Sequence, residues 1–265
     1  MGGSLVDLNC DMGESFGAWQ IEPGETVLGH VSSVNLACGY HAGDPLVMER
    51  TVARCKQHGV AVGAHPGYPD LMGFGRREMQ LSPAEARAYV IYQVGALKAF
   101  CEAAGVPLQH VKLHGAFYNA ASDDDRLASA VIEALLALRS WGLIVLARSG
   151  SLFARRAREA GLTVAEEVFA DRAYNPDGTL VSRRLPGAVL HDPAEVARRA
   201  VQMATQGWVA AVDGTPVQLQ VDSICVHGDN PEAAASVERM ARELRAAGVR
   251  IAPLREVAGR EPAGR

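Results

Sequence analysis

A (β/α) barrel is the fold class that this 265-residue sequence predicts, and three observations carry the expectation. Short runs rich in Val, Leu and Ile alternate with longer stretches of helical period almost from end to end. The helices share a starting device, a capping side chain followed by proline. Roughly seven or eight such units in about 250 residues match a closed barrel better than a two-lobed open sheet, which is the fallback.

Strands are expected near 5–10 (LVDLNC), 33–38 (SVNLAC), 60–64 (VAVGA), 110–114 (HVKLH), 143–147 (LIVLA), 163–169 (TVAEEVF), 187–190 (GAVL) and 219–227 (LQVDSICVH). Asp44-Pro45 opens a helix that closes at His58-Gly59, and Ser82-Pro83-Ala84-Glu85 supplies cap, first-turn proline and capping-box glutamate for one closed by Gly105. Asp192-Pro193 with Glu195 repeats the pattern before 194–206. Asn230-Pro231 with Glu232 repeats it before 232–247, closed by Gly248. No Gly/Ser linker, charge block or low-complexity tract divides the chain, so residues 1–254 read as one barrel domain and 255–265 as a loose C-terminal tail.

Composition excludes several roles. The formal net charge of −4 offers no basic field for a phosphate backbone, so no nucleic-acid partner is expected. A hydrophobic fraction of 48% and mean hydropathy of +0.02 are ordinary for a globular chain, and no run approaches the roughly 18 apolar residues of a bilayer span. Five scattered cysteines (Cys10, Cys38, Cys55, Cys101, Cys225) without a CxxC suit a reducing compartment. The opening MGGSLVDLNC has no basic region followed by a long apolar stretch, which leads to the expectation of a cytoplasmic protein.

The polar residues carry the functional argument. With period two, Asp7, Asn9 and Asp11 share one strand face opposite Val6, Leu8 and Cys10; Lys112 and His114 share another. If these strands line a barrel, the polar faces point inward, where charges must pair or meet a ligand. The segments after the expected strands add Glu14, His41 with Asp44, His65, His114 and His227, so four of the eight histidines fall at strand ends. Parallel α/β folds bind ligands at that end. One such histidine is more often hydrogen-bonded in a loop; four together point to a site.

Carboxylates and imidazoles so placed serve either metal-activated water or metal-free acid–base chemistry. No HExxH spacing is present, and a metal, if held, falls to Asp11, His41 and His65. Arg76 in the Gly-Arg loop 69–77 and Arg172 in Asp171-Arg172 could clasp a substrate carboxylate, or could be a solvated loop arginine and a local ion pair. P-loop, dinucleotide and GxSxG patterns are absent.

The stretches VDLNCDMGESFGAW, VNLACGYHAGDP, GVAVGAHPGYPDLMGFGRR, QHVKLHGAFYN, EVFADRAYNPDGTLVSRR and ICVHGDNPEA together resemble the LamB/YcsF family over about residues 5–255. Departures at Tyr40, Leu113, Phe117 and Asn230 flank the polar positions. The resemblance implies a distorted (β/α) barrel akin to glycoside hydrolases and polysaccharide deacetylases. It also implies an ATP-dependent opening of 5-oxoproline to L-glutamate, ATP being used with Mg2+ and bound here or through partners, 5-oxoprolinase subunits B and C. On that reading Asp11 or His114 is the base and His41 and His65 polarise or protonate the lactam. Lys112 stabilises negative charge, and Asn9, Glu14, Asp44, Arg76, Arg172 and His227 bind substrate. A stand-alone metal-dependent amidase or deacetylase is the alternative, and a non-enzymatic scaffold the third.

Overall fold

The computed structural model describes residues 4–21, 25–226 and 231–259. Strands β1 (Leu5–Met12), β2 (Ser33–Ala37), β3 (Ala61–His65), β4 (Leu108–Val111), β5 (Ile144–Arg148) and β6 (Val164–Phe169) lie side by side in chain order. A small antiparallel hairpin, β7 (Trp208–Ala210) with β8 (Pro216–Gln218), stands apart. β9 (Ser223–Val226) then pairs in parallel with both β6 and β1 and closes the barrel, while β10 (Arg250–Ile251) extends the start of β1. Helices α1 (Pro45–His58), α2 (Pro83–Ala104), α3 (Gly115–Asp123), α4 (Asp125–Ala137), α5 (Leu152–Glu159), α6 (Pro193–Gln206), α7 (Pro231–Ala246) and α8 (Leu254–Ala258) accompany the strands. None of the described helices is long and apolar enough to cross a membrane.

The cap residues act as their sequence implies. Asp44 accepts from the amides of Leu46 and Val47, Asp192 accepts from Ala194, and Ser82 forms a capping box with Glu85. α8 starts at Leu254, runs into the 255–265 segment read as a tail, and buries Leu254 and Val257.

Period two holds inside the barrel. Val6, Leu8 and Cys10 pack outward in the hydrophobic core, and Asp7 and Asn9 are fully buried on the other face. The Asp7 carboxylate accepts from Ser32, Ser33 and Ser223. One layer up, Asn35 Nδ2 donates to Asn9 Oδ1 at 2.6 Å, and His110 Nε2 lies 2.8 Å from Asn35 Oδ1. Gly63 makes room for that imidazole, because a Cβ there would sit 2.0 Å from His110 Nε2.

Three expectations need correction. Residues 187–190 form no strand: Val189 makes a single bridge to Arg172, whose side chain takes the Ala188 carbonyl at 3.2 Å. The last barrel strand is Ser223–Val226, shorter than 219–227, and His227 lies outside the described residues. The β7–β8 hairpin was not expected, although Asp213-Gly214 is a turn signal and Gly214 sits at φ +87°. β4 ends at Val111, yet Lys112 and His114 donate their amides to Ala64 and Pro66, each at 2.9 Å. The chain therefore stays extended, and His110, Lys112 and His114 keep one facing.

Candidate active site

At the carboxyl end of the barrel β1, β3 and the segments after β1, β2 and β4 deliver Asp11, Glu14, His41, His65, Lys112 and His114 to one place. Lys112 stands at its centre. Its Nζ lies 2.9 Å from Glu167 Oε1, 3.3 Å from Asp11 Oδ1, 3.4 Å from Asn9 Oδ1 and 3.0 Å from Cys225 Sγ. Burial works against the ammonium, but Asp11 and Glu167 outweigh it and hold the amine well above its ordinary range. Glu167 also accepts from Asn9 at 2.9 Å and from the Tyr118 hydroxyl at 3.1 Å.

Above this layer are three imidazoles. His41 stacks on His114 with ring centres 3.6 Å apart, and His65 meets His114 edge-on at 4.8 Å. His41 and His114 are pushed well below the ordinary imidazole range, by burial first and then by the neighbouring rings. Both are neutral at neutral pH. Their surroundings fix the tautomers: His65 Nδ1 faces the Lys112 carbonyl at 2.8 Å, and His114 Nε2 faces the Phe74 carbonyl at 2.9 Å. A carbonyl only accepts, so both of those nitrogens carry hydrogen. In neutral rings the remaining nitrogens, His65 Nε2 and His114 Nδ1, then point lone pairs at each other across 3.0 Å. Two lone pairs at that distance repel unless a proton or a cation lies between them.

Glu14 strengthens that demand, with Oε1 3.4 Å from His41 Nε2 and 3.5 Å from His114 Nδ1. Neither ring nitrogen of His41 has a hydrogen-bond partner among the described residues. Donor atoms of Glu14, His41, His65 and His114 all lie within 4.8 Å of one another and could hold a metal ion. Three imidazoles and a carboxylate, two of the imidazoles anchored through the far nitrogen to backbone carbonyls, match the donor set and outer shell that zinc prefers. Glu14 and His114 thus join His41 and His65, while Asp11, expected as a ligand, accepts from Lys112 and Asn35.

The 69–77 loop covers the cluster. Phe74 adopts φ 54°, a left-handed conformation that bulky residues avoid, and Gly75 follows at φ 62°. A Cβ on Gly75 would lie 2.8 Å from His41 Cβ and 2.9 Å from His114 Cδ2. This strained turn is what places the Phe74 carbonyl against His114.

A cavity of about 960 Å³ opens over the site. Asp11, His65, Lys112 and His114 reach its wall; Glu14 and His41 are not among its lining residues. Arg76, Arg126, Arg148, Arg172, Arg183 and Arg184 also line it, so a chain of net charge −4 has a cation-rich mouth.

The remaining expected residues lie outside the cluster, Arg76 and Arg172 on the wall of the same cavity. Asp44 caps α1 and also accepts from the Gly17 amide at 2.8 Å. Arg172 is buried in the wall, donating to the Val181 carbonyl at 2.6 Å and to Ala188. Arg76 is exposed at the rim over the Phe74 ring. Sequence reasoning missed Glu167, Asn35 and Arg148. The first two are polar residues inside short apolar strands, a signal available in VAEEVF and SVNLA.

The LamB/YcsF family model matches residues 6–259, nearly the whole length. The chain belongs to the LamB/YcsF family. Among its relatives, a Pyrococcus abyssi protein named as the A subunit of 5-oxoprolinase is 55% identical over 254 residues, covering 96% of this chain and 99% of that one. The crystal structure of a lactam utilization protein from Thermus thermophilus is 46% identical, with a TM-score of 0.88 over 93% of this chain and 98% of that one. A CE4 family pseudoenzyme with restored activity is 13% identical, with a TM-score of 0.51 over 97% of this chain and 68% of that one. That last likeness is one of fold alone.

Proposed function

We infer that this chain is the lactam-hydrolysing subunit of a 5-oxoprolinase, converting 5-oxo-L-proline and water to L-glutamate with ATP hydrolysis supplied together with partner subunits B and C. The observation that carries the reading is the convergence of Asp11, His65, Lys112 and His114 on one cation-rich cavity in a chain 55% identical to a protein named as the A subunit of 5-oxoprolinase. A five-membered lactam is a stable amide. Phosphorylation of its oxygen by ATP makes it an electrophile that water can attack, which is a chemical reason for the coupling.

Lys112, held charged by Asp11 and Glu167, faces the cavity and is placed to hold the phosphorylated lactam oxygen as water adds to the ring carbon, ring opening leaving an acyl phosphate whose hydrolysis yields glutamate and phosphate. The His65–His114 pair takes the proton from that water and returns one to the ring nitrogen as the C–N bond breaks. Asp11 Oδ2, 3.4 Å from His65 Nε2, is placed to hold that nitrogen once it has taken the proton. Glu14 and His41 support the pair from behind. Where a divalent metal is bound, Glu14, His41, His65 and His114 would hold it, and it would supply Lewis-acid polarisation and a more acidic water.

The deciding experiment is glutamate formation from 5-oxoproline by the pure chain, with and without ATP and with and without subunits B and C. Turnover that needs ATP and both partners supports the reading. His114→Ala should then lower it by about 10²- to 10⁴-fold. The second reading, a stand-alone metal-dependent amidase, is favoured by the Glu14 and three-histidine cluster. It predicts ATP-independent amide cleavage by the chain alone, lost on chelation and restored by zinc.

A further inference from the structure

Arg148 ends β5 at the cavity mouth, with its side chain 8% exposed. Its Nη2 donates to Asp123 Oδ1 at 2.6 Å, while its Nε is buried and has no hydrogen-bond partner among the described residues. The Nε–Nη2 edge of a guanidinium presents two parallel N–H groups that match the two oxygens of one carboxylate. Asp123 fills half of that edge from an exposed position at the end of α3, its side chain 57% open to solvent.

The neighbouring arginines are differently employed. Arg172 is committed to the Val181 and Ala188 carbonyls, and Arg76 lies exposed over Phe74. Arg148 sits beside the chemistry: its register partner on β6 is Glu167, the carboxylate that holds Lys112, and Tyr118, which donates to Glu167, lines the same cavity. A buried cation with half of its two-pronged edge unmet, at the mouth of a pocket whose floor holds an ammonium and two imidazoles, is arranged to take an anion.

We propose that Arg148 is the residue that recognises the substrate's carboxylate, in a two-pronged pair that displaces Asp123. The proposal rests on the lactam reading above and deepens it by naming the specificity determinant. A ring lactam bearing a carboxylate beside its nitrogen would place that group at Arg148 with its carbonyl toward Lys112 and His114. A lactam without the carboxylate would lose this anchor.

The test uses the chain with its partner subunits and ATP, comparing 5-oxoproline with 2-pyrrolidinone, the same ring without the carboxylate. Arg148→Met should raise KM for 5-oxoproline 30-fold or more and change kcat less than fivefold. It should leave kcat/KM for 2-pyrrolidinone within twofold, so that discrimination between the two collapses. Arg148→Lys keeps the charge but not the fork and should recover only part of it. Asp123→Asn leaves Arg148 in place, removes its resident competitor and should lower KM two- to fivefold. A KM within twofold of wild type in folded Arg148→Met, with discrimination intact, overturns the proposal and leaves the lactam reading standing. If the wild-type complex turns over no 5-oxoproline, that reading fails, and titration calorimetry of 5-oxoproline on the full chain judges the anchor. Binding lost in Arg148→Met sustains it, and no wild-type binding or equal binding ends it.

Discussion

The barrel interior and its mouth are built from the same residue types and are satisfied to different degrees. Inside, Asp7 is caged by three serine hydroxyls, and Asn9, Asn35, Lys112 and Glu167 form a connected network of 2.6–3.4 Å contacts. At the mouth, His41 has no hydrogen bond among the described residues, and His65 and His114 direct lone pairs at each other. Polar groups that stabilise a fold are closed on one another, because an unmet buried donor or acceptor is costly. Those left open are held for something that arrives.

The sharpest way to break the comparison is to remove one partner from each region. Glu167→Ala strands the buried Lys112 ammonium with less than its full complement of acceptors, and the expected loss is about 3–5 kcal/mol of unfolding free energy. His41→Gln takes away ring nitrogens that bond to nothing among the described residues and should cost about 1 kcal/mol or less, mostly from lost stacking on His114. Urea unfolding of both variants measures the ratio. Equal losses would mean that the mouth is as structural as the interior.

A second, smaller effect lies at the bottom of the interior. Burial pushes the Asp7 carboxyl up from 3.8 to about 6, and the three serine hydroxyls only partly offset it. The native state therefore holds a proton between about pH 4 and 6 that the unfolded chain has released. Asp7's contribution to stability is complete below pH 4 and falls as pH rises through 6, by on the order of 2–3 kcal/mol. Asp7→Asn removes that dependence, so its stability relative to wild type should improve from pH 4 to pH 7. Unfolding curves at the two pH values that run parallel for the two proteins would show that the serine cage outweighs burial.

Much of this was legible in the sequence, and the limits have physical causes. The alternation in LVDLNCD and VKLHG placed Asp7, Asn9, Asp11, Lys112 and His114 on inward faces, because a strand's period survives even where β4 gives way to an irregular extended stretch. The proline caps marked α1, α2 and α6, because capping is local chemistry. GAVL at 187–190 misled because its composition suits a strand, whereas the side chain of Arg172, distant in sequence, captures the Ala188 carbonyl. Glu14 was expected to bind substrate and not to join the imidazoles, and Arg148 was not singled out, since what distinguishes them is a tautomer arrangement and a half-used guanidinium edge, both of which exist only after folding.

Asp44 is the smallest test and the most direct for a single residue. Its sequence context, between His41 and the first helix, suits a substrate ligand, and its geometry suits a cap. Oδ1 accepts from Leu46 and Val47 at 2.9 and 3.0 Å, and Oδ2 accepts from Gly17 at 2.8 Å. Those amides, Gly17 first, hold the carboxyl below its usual range, so it is ionised and already occupied. A carboxylate with both oxygens taken by backbone amides has little left for a ligand, and the Gly17 contact ties the loop after β1, which carries Glu14, to the start of α1. Asp44→Ala should therefore cost about 1 kcal/mol of stability, the ordinary worth of a cap, with kcat and KM for 5-oxoproline within twofold of wild type. A tenfold rise in KM without loss of stability would return Asp44 to the mouth and shift the boundary between the two regions by one residue.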